Sequence, residues 1–167
     1  MSNVNQFFKI SPEQYEIDNM ASFGCESYDD IKLPKRATKY SAGHDFYAPM
    51  DITIEPGLSV KIPTGIRVKL NPTSVLLCFP RSSLGMKYKL KLDNTVGVID
   101  ADYFNSDNEG HIWVSMTNMS DDKVCTIKKG EAMFQGVIVG YEKTVNDEVT
   151  TVRNGGMGST NNSNNNN

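Results

Sequence analysis

From residue 44 onward the apolar positions recur every second residue. Ile52 and Ile54 alternate with Asp51, Thr53 and Glu55, and the pattern turns at Pro56-Gly57. Leu58, Val60, Ile62, Ile66, Val68 and Leu70 continue it across a break at Pro63-Thr64-Gly65. Val75 to Phe79 is a continuous apolar run of the length of a buried strand, and 112–116, 124–127 and 133–139 predict three more. Many short strands separated by turn signals predict an all-β sandwich or barrel. The start of the chain reads differently. Ser11-Pro12-Glu13-Gln14 places an N-cap, a proline at the first helical position and Gln at N3, so a short helix is expected with Tyr15, Ile17 and Met20 on its apolar side. Residues 32–38 read as a proline-punctuated extended lead-in. At the other end, 153–160 is glycine-rich and 161–167 is almost all asparagine. Neither can bury enough surface to order itself, so both are expected to be mobile until something binds.

Composition narrows the classes. The chain has 167 residues, 38% hydrophobic and 22% charged, which suits one folded domain. Its net charge of −3 argues against coating nucleic acid, whereas a small anion needs only a local cluster of Arg, Lys and backbone N–H groups. Cys25, Cys78 and Cys125 are odd in number and far apart, so they read as buried thiols of a reducing compartment. No leader pattern opens the chain and no apolar run reaches membrane-spanning length, so a cytoplasmic protein with no membrane partner is expected. His44 and His111 are the only histidines, and no close ligand cluster surrounds them. That excludes a typical zinc site but leaves magnesium, which binds through substrate phosphates and retained waters.

Five segments carry candidate chemistry. In Asp93-Asn94-Thr95-Val96-Gly97-Val98-Ile99-Asp100-Ala101-Asp102-Tyr103, a β-branched run is flanked by turn residues, carboxylates and a tyrosine. It reads as a hairpin offering bare backbone to a flat polar molecule, with Asp100 and Tyr103 at its edge. Asp102, two residues beyond Asp100, is expected not to share a site with it. Pro80-Arg81-Ser82-Ser83-Leu84-Gly85 lies where the buried run leaves the core, and its small hydroxyls, glycine and Arg81 suit a phosphate nest. Gln135 sits in an otherwise apolar strand and needs a partner. Ser41-Ala42-Gly43-His44-Asp45 and the arm from Arg153 to Thr160 complete the set.

Taken in chain order, as 41–48, 80–85, 94–103, 130–135 and 153–160, the five segments closely resemble the motifs of the trimeric dUTP diphosphatases (dUTPases), particularly the phage and Gram-positive type, over residues 28–160. The resemblance implies a distorted jelly-roll β-barrel with a short N-terminal helical segment and a flexible C-terminal arm. The expected division is an extension (1–27), a dUTPase-like β domain (28–152), a phosphate-covering arm (153–160) and a tail (161–167). It implies hydrolysis of dUTP to dUMP and diphosphate by a homotrimer whose active sites draw on several subunits. Asp100 would orient the attacking water. Arg81, Ser82, Ser83, Gln135, Arg153, Gly156 and Ser159 would hold phosphates. Asn94, Gly97, Val98, Tyr103 and Met157 would bind uracil and deoxyribose, with Tyr103 leaving no room for a 2′-hydroxyl. Magnesium is the implied cofactor, with Asp45 either reaching it through water or organising the strand.

Departures from the family pattern bear on function. Met157 stands where relatives carry a phenylalanine that stacks on uracil, giving up aromatic overlap. Turnover is therefore expected to rise in Met157→Phe, and an unchanged or lower rate contradicts this. The loop 104–110 is longer and more polar than in most relatives and offers a surface for a neighbouring subunit or a protein partner. His44 stands where relatives often have an aromatic or aliphatic residue, with little consequence expected. Two other functions are compatible with the frame: a trimeric nucleotide-dependent binding or signalling module, and a dCTP deaminase. The intact 93–103 segment speaks against the deaminase.

Overall fold

The period-two stretches become strands in the computed structural model, which describes residues 4–153. In chain order the strands are β1 (Gln6–Lys9), β2 (Lys35–Arg36), β3 (His44–Tyr47), β4 (Ile52–Ile54), β5 (Ser59–Pro63) and β6 (Ile66–Lys69). There follow β7 (Ser74–Pro80), β8 (Leu90–Leu92), β9 (Gly97–Ile99), β10 (Trp113–Asn118), β11 (Cys125–Ile127) and β12 (Ala132–Gly140). They form a five-stranded sheet, β2-β3-β12-β7-β9, a three-stranded sheet, β5-β10-β8, and the pairs β1-β6 and β11-β4. Every pairing is antiparallel.

Alternation decides which residues go inside. Ile52 and Ile54 are buried around exposed Thr53, and Leu76 and Cys78 are buried between half-buried neighbours on β7. Phe46 of β3 stacks on Phe134 of β12 with ring centroids 4.4 Å apart, and both are fully buried. Each such side chain contributes roughly 1.5–3 kcal/mol on leaving water. The break between β5 and β6 depends on Gly65. Its φ is +72°, and a Cβ there would lie 2.6 Å from Ile31 Cδ1, so both the turn and the packing require glycine.

The N-terminal segment is laid across this body as a strap. Ser11 caps α1 (Pro12–Ile17), its hydroxyl accepting the Gln14 N–H at 3.0 Å, as the sequence leads one to expect. Tyr15 and Met20 are buried, but Ile17 is 74% exposed, contrary to expectation. The helix stops after six residues and the chain turns at left-handed Asn19, so Met20 enters the core from a following 3₁₀ turn (Met20–Phe23). β1 was not foreseen, because Gln-Phe-Phe-Lys has no two-residue period; pairing with β6 makes it a strand.

Two polar anchors fasten the strap to residues 104–111. The Glu109 carboxylate accepts the Ser11 N–H (2.9 Å) and hydroxyl (2.6 Å) and pairs with Arg67 at 3.4 Å. Burial alone would raise the Glu109 pKa, but the Ser11 bonds and the Arg67 charge more than offset it and the net shift is downward. His111 is fully buried, with Nδ1 2.6 Å from an Asp18 carboxylate oxygen. Its Nε2 accepts the Gly65 N–H at 2.8 Å, so the ring is neutral with its proton on Nδ1, donated to Asp18.

Burial holds the His111 pKa below its ordinary 6.5, against the opposing pull of Asp18. The unfolded chain therefore binds a proton that the folded chain refuses as pH falls through 6.5. Stability contributed by this ring is present above that value and is lost as pH drops toward the folded pKa. Thermal unfolding is expected at lower temperature at about pH 5.5 than at about pH 7.5. The slope should flatten in His111→Gln; an unchanged slope in that variant contradicts the assignment.

Candidate active site

The 93–103 segment does not fold as a hairpin. β8 pairs with β10, and β9 pairs with β7, so the turn between them carries the chain from one sheet to the other. Thr95 takes φ +63°, and the Val96 N–H donates to the Asn94 carbonyl at 2.7 Å, tightening the bend. Asp93 fixes its start: the backbone N–H donates to the Ser115 carbonyl at 3.0 Å, and the carboxylate accepts the Ser115 and Thr117 hydroxyls.

Where the sheets part, a pocket of about 340 Å³ opens, lined by Asn94, Gly97, Val98, Cys78, Trp113 and Phe134 among others. Asn94 and Val98 are exposed at it. Gly97 faces Cys78 in register, and a Cβ there would stand 3.0 Å from Cys78 Cβ. Glycine thus lets β9 lie close on β7 and keeps that part of the pocket open. Burial pushes the Cys78 thiol up to about 12, so it stays protonated at neutral pH and acts as an apolar wall.

At the end of β9, Asp100 precedes a 3₁₀ turn (Ala101–Asn105). Contrary to the expectation that they would not share a site, Asp102 lies beside Asp100, and both reach the same cation. One guanidinium spans the pair, with Arg153 Nη2 donating to Asp100 Oδ2 at 2.7 Å and Nε 3.1 Å from Asp102 Oδ1. Both carboxylates remain about half exposed, 49% and 53%. A groove beside them is lined by Leu70, Pro72, Asp100, Ala101, Asp102 and Tyr141.

Tyr103 is almost fully buried in the same turn. Its hydroxyl donates to the His111 carbonyl at 2.8 Å and accepts the Asn108 Nδ2–H at 3.0 Å. Burial raises its pKa, so it stays a neutral donor. The Arg153 guanidinium lies 5.7 Å from the ring centroid, a cation over the π face. The 104–110 loop turns inward: Asn108 holds Tyr103, Glu109 holds the strap, and Asn105 and Asp107 are left exposed.

The remaining candidates gather on the five-stranded sheet. Gln135 on β12 lies opposite Asp45 on β3 and Phe79 on β7. Arg81, just past β7, brings Nε to 3.2 Å from Asp45 Oδ1, and Gln135 Nε2 donates to the Pro80 carbonyl at 3.2 Å. Gly43 makes room for that carboxamide, since a Cβ there would come within 2.3 Å of Gln135 Oε1. Ser82 and Ser83 are exposed and open α2 (Ser82–Tyr88), a helix the period-two reading did not anticipate. Leu84 and Tyr88, four apart, pack its one apolar side on the core, too short a pattern to register in the sequence. Arg81 caps α2 without a side-chain bond, leaving first-turn N–H groups for an anion.

The two groups stand apart along one sheet rather than gathering at one point: Val98 and Gln135 share a face, while Gly97 and Cys78 face the pocket. Cys78 points to the pocket, so its neighbour Phe79, level with Gln135, points away. Asp100 follows Ile99, which pairs with Leu76, whereas β7 runs four residues further, roughly 13 Å, to Pro80 before the chain reaches Arg81 and Ser82. Gly156, Met157, Ser159, most of the arm and the 161–167 tail lie outside the described residues. Among the described residues no three His, Cys, Asp or Glu side chains gather as a metal cage, and no helix is long and apolar enough to cross a membrane.

Comparison with known proteins gives this geometry a family. The dUTPase family model matches residues 29–163. A deoxyuridine 5′-triphosphate nucleotidohydrolase of Lactococcus lactis is 43% identical over 133 residues, covering 78% of this chain and 88% of the relative. The crystal structure of dUTPase from Streptococcus mutans superposes with TM-score 0.62 at 39% identity, covering 71% of this chain and 91% of that one. A mutant dUTPase of phage phi11 of S. aureus, described with a structural Mg(II) ion, shares the fold at TM-score 0.64 and 20% identity, covering 89% and 98%. The all-β, jelly-roll-type architecture is common to these chains, and by family match, sequence and fold together this chain belongs to the dUTPase family.

Proposed function

We propose that the protein hydrolyses dUTP to dUMP and diphosphate at sites completed between copies of the chain. The observation that carries this reading is the separation along one sheet of Asp100, at the end of β9 near the start of β7, from Arg81 and Ser82, past the far end of β7. A nucleotide in the Asn94–Gly97 pocket of one copy meets the Arg81–Gln135 face of another, as in a symmetric homotrimer.

Uracil enters the pocket beneath the 93–96 turn. Asn94 and the backbone of Gly97 and Val98 read its edge and discriminate against a C5 methyl. Tyr103, held through its hydroxyl by His111 and Asn108, excludes a 2′-hydroxyl, once Arg153 leaves its ring for the triphosphate. Asp100 orients and deprotonates a water in line with the leaving diphosphate. Ser82 and Ser83, the first-turn N–H groups of α2, Arg81 and Gln135 hold the phosphates, and Arg153, Gly156 and Ser159 close over them while Met157 covers the base.

Magnesium, when bound, would supply charge neutralisation on the triphosphate. The residue set suits an ion that would arrive on the phosphates with most of its waters, because Asp45 already pairs with Arg81 and no three potential ligands gather among the described residues. The setting is cytoplasmic, where dUTP removal limits uracil in DNA and supplies dUMP.

Diphosphate release from dUTP, dTTP, dCTP and UTP with magnesium tests the reading. Turnover of dUTP alone is expected. Ammonia from dCTP, or dUTP binding without diphosphate release, contradicts it in favour of a deaminase or a binding module.

A further inference from the structure

The register of the five-stranded sheet brings one more cation to the phosphate face. Lys35 of β2 lies directly opposite Asp45 of β3, which lies opposite Gln135 of β12. Directly paired residues of an antiparallel sheet project to the same side, so Lys35, Asp45 and Gln135 form a row across three strands. The row spans roughly 10 Å between its outer strands, at one strand spacing per step.

Charge along this row is uneven. Arg81 and Asp45 are 3.2 Å apart and largely neutralise each other. Gln135 carries no charge. Lys35 is exposed on an edge strand and makes no ion pair among the described residues. Arg36, its neighbour, faces the other way in register with His44, and its guanidinium donates to the Lys39 and Ser41 carbonyls. An unspent cation therefore stands at the outer edge of a face whose central pair is balanced.

We infer that Lys35 is a further substrate-binding residue, contacting the terminal phosphates of the nucleoside triphosphate from the edge of the sheet. This rests on the phosphate face proposed above. A flexible four-carbon stem with a point charge suits the freely rotating end of a polyphosphate, which needs no planar two-pronged partner. The α-phosphate end, nearer Gln135 and Ser82, is out of its reach, so Lys35 distinguishes triphosphate from monophosphate and leaves the chemical step alone.

Lys35→Gln, Lys35→Glu and Lys35→Arg test this, with kcat and KM for dUTP and dissociation constants for dUMP and a non-hydrolysable dUTP analogue. Lys35→Gln should raise KM roughly three- to tenfold with kcat unchanged. Lys35→Glu should raise it further, and Lys35→Arg should stay near wild type. The analogue should weaken in parallel with KM while dUMP does not, and the salt dependence of KM should become shallower. Unchanged KM in Lys35→Gln, or equal weakening of dUMP and analogue, overturns the role of Lys35. A wild-type protein that fails to turn over dUTP overturns the site reading itself.

Discussion

Asp100→Asn should lower kcat for dUTP by roughly 10²–10⁴-fold, the range a positioned general base contributes, while the protein still binds nucleotide. Asparagine fills the same space and can orient a water, but it takes no proton from it. The fold should be indifferent, because the Asp100 side chain is half exposed and forms no cap on the turn that follows. Binding should persist as well, because Arg153 keeps Asp102 as a partner in the free state and remains available to the triphosphate. Asp102→Asn provides the contrast: it loosens Arg153 without touching the reacting water, so kcat should change far less. Equal losses in the two variants, or a kcat within a few-fold of wild type in Asp100→Asn, would remove Asp100 from the chemistry. Diphosphate release for turnover and calorimetric titration of the non-hydrolysable analogue for binding separate these outcomes.

Gly43→Ala should lower kcat/KM by roughly ten- to a hundredfold with little loss of stability. The new Cβ would occupy the place of Gln135 Oε1, 2.3 Å away, so the carboxamide must swing aside and give up its bond to the Pro80 carbonyl. Moving the end of a flexible side chain is cheap for the fold. It is expensive for a group that holds a phosphate, where a misplacement of about 1 Å can cost on the order of 10²-fold. Steady-state kinetics beside a thermal melt checks this. A melting temperature that falls with activity would mean that Gly43 serves the fold, and unchanged kinetics would mean that Gln135 is not held in a working position.

What could be read from the sequence was local. Alternation around Ile52 and Ile54, the Pro63-Thr64-Gly65 break and the apolar run ending at Phe79 each report the burial of the next residue but one, and strands formed there. Ser11-Pro12-Glu13-Gln14 reports its own capping geometry, and the cap formed. The misreadings arise where partners distant in sequence decide. Residues 93–103 look like a hairpin because a bend joins two short extended pieces, yet β8 and β9 each found a different partner in β10 and β7. Asp102 joins Asp100 because both reach Arg153, a contact that spans fifty-one positions from Asp102 and cannot be read locally. The two-residue strand β2 is too short to show a period, so nothing in the sequence sets Lys35 beside Asp45. Gly43 was visible as part of a motif, but its reason, room for Gln135, exists only once β3 lies against β12. Ile17 fits a helical face that ends before it can be used.

The claim on which the account depends is that one copy supplies Asp100 and the base pocket while another supplies the phosphate face. Subunit complementation tests it most directly. Asp100→Asn chains and Ser82→Ala, Gln135→Ala chains, each inactive as a pure assembly, are co-expressed with different tags, mixed assemblies are isolated by tandem purification, and diphosphate release from dUTP is measured. Recovery of substantial activity in the mixed assemblies is predicted, because some sites there combine an intact Asp100 from one chain with an intact phosphate face from another. Mixed assemblies as inactive as their parents would place the whole site within a single chain and contradict the account.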